Sequence, residues 1–113
     1  MRSLTTLMLF TLAIASSPAE ATSPPHPPGL IASLGAYDQT PSLPLLQSLC
    51  ADPVACLENV AVDSSQARYV RHRAVNLLSA SRTEASMRTL ERFTGHPERF
   101  IQSAATYTLI RAF

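Results

Sequence analysis

Few residues of this chain are able to do chemistry: three histidines, two cysteines and a set of arginines. His26, His72 and His96 stand far apart. A helical metal site wants two imidazoles at i and i+4, on one face. No pair here has that spacing, so neither a metal nor another cofactor is expected. His72 shares a stretch with Ser79 and Ser81. A hydrolytic centre needs a nucleophile, a base within reach and a third group that orients the base. Helix geometry alone does not build one from these residues, and no catalytic residue is assigned. With three glycines in all, the chain has no glycine-rich loop to cradle a phosphate.

Cys50 and Cys56 flank the segment ADPVA. Asp52 followed by Pro53 is a helix-start signal, a capping side chain and then a first-turn proline. Cys50 therefore ends one helix and Cys56 lies in the first turn of the next. A tight corner of that kind brings two Cα atoms into the range of a disulfide. Five intervening residues are too many for a thioredoxin-like redox pair, and the region lacks the further ligands that a zinc site needs.

Arginine sets the charge pattern. There is no lysine, and the halves differ in sign. Residues 22–63 hold four acids and no arginine, whereas residues 64–113 hold eight arginines against three acids. Such asymmetry steers partners or subunits. It is too mild to indicate nucleic acid, whose recognition rests on many phosphate contacts. Two stripes with steps of three and four residues point outward from helices: Arg68, His72, Asn76 and Ser79, then Arg99, Ser103, Tyr107 and Ile110. Arginine, tyrosine and histidine suit a protein interface. Six of these residues, Arg68, His72, Asn76, Arg99, Ser103 and Tyr107, are the candidate protein-binding face.

The elements that must position these residues follow from the rest of the chain. Met1 and Arg2, the apolar run Leu4 to Ala15 and the small-x-small site Ala19-Glu20-Ala21 have the layout of a secretory signal peptide. The run is too short to span a membrane. Residues 1–21 are read as that signal, which places the protein outside the cell or in a periplasm. Residues 22–41 are read as a proline-rich spacer and extended segment, in which Leu30 to Leu34 could dock on the core. From 42 onward the spacing is helical. Ser42 caps a leucine-rich helix and Asp52 caps PVACLENVAV. The segment ARYVRHRAVNLLSASR forms the longest helix, and Thr83 caps TEASMRTLERF. After Gly95, Pro97 opens the last helix. No strand alternation is sustained.

The last two hairpins repeat. At an offset of 31, Tyr69 falls on Phe100, Val70 on Ile101, Ala74 on Ala105 and Leu78 on Leu109. At an offset of 33, Leu57-Glu58 falls on Leu90-Glu91 and Val60 on Phe93. The unit is helix, turn, helix, and an internal period of this length marks a stacked solenoid. Asp63 followed by Val70-Arg71-x-x-Ala74-x-x-x-Leu78 resembles the HEAT-repeat pattern. Ile101-Gln102-x-x-Ala105-x-x-x-Leu109 keeps the apolar frame but lacks the arginine. The resemblance covers about residues 53–113. It implies an all-α fold, a short right-handed α-α superhelix of antiparallel helix pairs with four to five helices. The small Ala74 and Ala105 mark close helix approach. Arg71 is expected to cap exposed carbonyls or to pair with Asp63.

The function expected from this is an exported, non-catalytic protein-binding or scaffold module. An alternative is a small exported enzyme or enzyme inhibitor with its site in the 30–44 segment. The last helix carries Ile110 and Phe113 at an end with no capping repeat, so the expected partner is another protein or a second copy meeting that helix. Neither nucleic acid nor a membrane span after signal cleavage is expected.

Overall fold

A computed structural model of the chain describes residues 26–113. The signal-peptide reading of residues 1–21, and residues 22–25 of the proline-rich stretch, lie outside the described residues. Within them every regular element is helical. There are six α-helices: α1 Leu30–Gly35, α2 Leu43–Leu49, α3 Pro53–Ala61, α4 Arg68–Leu77, α5 Glu84–Phe93 and α6 Arg99–Ala112. A short 3-10 turn, Leu78–Ser81, prolongs α4.

The expected four to five helices become six because α1 forms inside the segment read as extended. Proline density ends at Pro28, and Gly29 takes the left-handed conformation (φ 85°) that turns the chain into the helix. Leu30 and Leu34, one turn apart, are then both fully buried. Apolar residues at i and i+4 drive this short helix onto the core, where tertiary packing outweighs its poor intrinsic stability. The helical part thus begins at Leu30, not at residue 42.

The remaining starts follow the capping residues. The Ser42 hydroxyl accepts from the Leu45 amide at 3.3 Å, and the Asp52 carboxylate accepts from the Ala55 amide at 3.3 Å. Thr83 and Ser86 form a reciprocal capping box. Two boundaries differ from expectation. The run from 67 to 82 is broken by the 3-10 turn, which leaves α6, with 14 residues, as the longest helix. Pro97 lies before the cap of α6, which is Glu98.

Helix α4 is central: it packs against α3, α6 and α1, while α5 packs on both α6 and α3. Ala74 and Ala105 have no exposed surface, as close helix approach requires. Val70, Leu78 and Ile101 fill the space beside them. Cys50 and Cys56 stand as a disulfide across the α2–α3 corner, their Cα atoms 6.3 Å apart.

Candidate functional site

Helix α4 carries three arginines that have different fates. Arg68 is exposed and lies over the Phe100 ring at 4.8 Å. Arg71, 5% exposed, turns inward. Its Nε donates to the Ala61 carbonyl at 2.8 Å, satisfying the end of α3, and its two terminal nitrogens donate to the Glu98 carboxylate at 3.1 and 2.5 Å. One side chain thereby ties α3, α4 and the start of α6. Carbonyl capping is as expected; the pairing with Asp63 is not, because Glu98 occupies the guanidinium fork. Arg71 holds the Glu98 carboxyl below the usual carboxylate range. Arg73, also buried, donates to the Ala36 carbonyl, to the Gln39 carbonyl at 2.6 Å and to the Tyr69 hydroxyl at 2.9 Å. It fastens the α1–α2 connection to α4, and the Tyr37 and Tyr69 rings stack 4.6 Å apart beside it.

Asp63 has another set of partners. It accepts from the Ser65 amide at 3.0 Å and the Ser65 hydroxyl at 2.6 Å, and meets His26 Nε2 at 2.7 Å. These contacts, the Ser65 hydroxyl foremost, hold its carboxyl well below the usual range. Here a histidine does stand beside a second titratable group, but not in a catalytic order. The serine hydroxyl donates to the aspartate and not to the imidazole, so the array turns the chain and anchors the proline-rich stretch without activating a nucleophile. The 30–44 segment contributes Tyr37 to the aromatic stack and backbone carbonyls to Arg73.

Of the six candidate face residues, those of α4 form one row. Arg68 and His72 are exposed and Asn76 is half-buried. The Asn76 amide contacts His72 Nδ1 at 3.2 Å, and its carbonyl oxygen accepts from the Thr108 hydroxyl at 2.9 Å, joining α4 to α6. Arg99, Ser103 and Tyr107 of α6 are all exposed. Ser103 and Tyr107 border an open depression of about 410 Å³ shared with Thr94 of the α5–α6 turn and with no residue of α4. The Tyr107 hydroxyl reaches α6's own Arg111, which donates to it at 3.1 Å. A second depression, of about 360 Å³, does bridge the two helices, between Asn76, Ser79 and Arg82 on one side and Thr108, Arg111 and Ala112 on the other. Arg82 and Arg111 are the site residues that the sequence reading missed. Each lies one further step of three or four along a stripe, Arg82 after Ser79 and Arg111 after Tyr107, so carrying the stripes one step on would have found them.

No group of three or more metal-ligating side chains occurs among the described residues, and no helix there is long and apolar enough to cross a membrane. Comparison of the chain with protein-family models, with curated proteins and with solved structures finds no match.

Proposed function

We propose that this protein is an exported, non-catalytic binding module, a short HEAT-like array whose second helices, α4 and α6, present a cationic face to a protein partner. The observation that carries the reading is the placement of charge. Three arginines, Arg71, Arg88 and Arg92, are matched by Glu98, Glu84 and Glu58. Arg68, Arg82, Arg99 and Arg111 have no ion-pair partner among the described residues, and all four stand on α4 and α6 or just past the end of α4. Exposed, unmatched arginines next to aromatic rings are the composition of interface hot spots. The disulfide supports an oxidising compartment, outside the cell or in a periplasm. Tyr107, Ile110 and Phe113, exposed on the last helix, offer apolar surface to the same partner or to a second copy.

Site-specific photo-crosslinking tests this. A crosslinker at His72 should trap one defined protein in the exported fraction, while the same group at Asn59 or Ala85, exposed on α3 and α5, should trap none. Equal trapping from all three positions, or none from His72, refutes the reading.

A further inference from the structure

The depression between the ends of α4 and α6 offers a ligand hydrogen-bond donors and positive charge. Its two hydroxyls already donate inward, Ser79 to the Asn76 carbonyl at 2.9 Å, and Thr108 with its one proton shared between the Ala104 carbonyl at 2.7 Å and the Asn76 side-chain oxygen at 2.9 Å. The side-chain oxygen of Asn76 is taken by Thr108. What remains are the guanidinium of Arg82, the outer nitrogens of Arg111 and the second hydrogen of the Asn76 amide. Arg82 makes no side-chain hydrogen bond and no ion pair among the described residues, and is steadied over the Phe113 ring at 5.5 Å. Arg111 lies over the Tyr107 ring at 5.4 Å and donates one N–H to its hydroxyl. Neither contact neutralises a charge.

A second observation concerns the backbone. Arg82 has φ 51°, the only positive φ at a non-glycine residue among those described. Glycine or asparagine takes this conformation more readily than arginine does. The left-handed residue is the C-cap that ends the 3-10 turn, and an arginine at this position, in place of glycine or asparagine, carries a guanidinium to the edge of the depression.

From these observations we infer that the depression is an anion site that takes the carboxylates of an acidic peptide segment, gripped by Arg82 and Arg111 and oriented by the Asn76 amide. The guanidinium fork matches a carboxylate with two parallel hydrogen bonds. The inference rests on the protein-binding reading and adds to it the chemistry of the partner.

The test is fluorescence anisotropy of a labelled hexaglutamate peptide with the purified protein at low salt, with hexalysine as control. Hexaglutamate should bind, more weakly as salt screens the charges, and hexalysine should not. Arg82→Asn and Arg111→Gln should each weaken binding by about three- to tenfold. Arg88→Gln, on α5 and outside the depression, should change it by less than about twofold. Arg82→Asn should also melt higher than the parent, because the backbone strain is relieved, so its loss of affinity is not a loss of fold. Failure to bind hexaglutamate, equal binding of hexalysine, or variants that bind like the parent overturn the site. So does loss of self-association in Arg111→Gln without peptide binding, which makes a second copy the occupant. Crosslinking from His72 despite any of these leaves the protein-binding reading standing and removes only the acidic segment.

Discussion

Replacing Arg71 by alanine should cost far more stability than replacing any exposed arginine of this chain. The side chain is 5% exposed, and three losses follow its removal. The Ala61 carbonyl at the end of α3 loses its donor, at about 1–3 kcal/mol for a buried unsatisfied group. Stacking on the Phe100 ring, 4.9 Å away, disappears, worth about 0.5–1 kcal/mol. The buried methylenes of the stem contribute about 0.8 kcal/mol each. Desolvation of the guanidinium, no longer required, offsets part of this, leaving a net loss of about 2–4 kcal/mol. In a domain this small each kcal/mol moves the melting temperature by about 4–8 °C, so Arg71→Ala should melt at least about 8 °C lower by circular dichroism. Glu98→Gln keeps an acceptor oxygen at the fork and should have a much smaller effect, which vanishes in the Arg71→Ala background. A melting temperature of Arg71→Ala within about 2 °C of the parent, or effects of the two substitutions that simply add, refutes Arg71 as the tie between the hairpins.

Reduction of the Cys50–Cys56 bond reopens a loop with a sequence separation of 6 and should cost about 2 kcal/mol, read from urea midpoints with and without reductant. Leu34→Ala should cost about 2–5 kcal/mol as a buried leucine; a loss below about 0.5 kcal/mol would show that α1 is not part of the core. The Asp63 and Glu98 carboxyls are both held below their ordinary values in the fold, so the unfolded chain binds protons more readily. Their stabilisation is complete above the unfolded range of about pH 4 and is lost as pH falls through the lowered folded values. Urea midpoints should therefore fall on acidification below about pH 4, and Asp63→Asn should flatten that decline.

Local chemistry accounts for what could be read along the chain. Capping residues set the starts of α2, α3 and α5, because the free amides of a first turn need an acceptor and Ser42, Asp52 and Thr83 supply it within three residues. The inward stripe Val70, Ala74, Leu77 and Leu78 follows from helical spacing alone. The disulfide was legible because a capping aspartate and a first-turn proline place both cysteines at one corner. These are short-range effects, and the all-α class follows from them.

Long-range placement decided the rest. Leu30 to Gly35 is too short to be a stable helix alone and exists because α4 offers a surface that buries Leu30 and Leu34. Glu98 and Asp63 were equally plausible partners for Arg71 by charge; the stacking of α6 beside α4 brought Glu98 to the fork, while His26 and Ser65 took Asp63. Three arginines of one helix, alike in sequence, became an exposed stack, a buried tie and a loop anchor because α4 meets solvent, α6 and α1 on successive faces. Arg82 and Arg111 lie 29 positions apart, close to the repeat offset of 31, but they share a depression only because α4 and α6 pack against each other and end together.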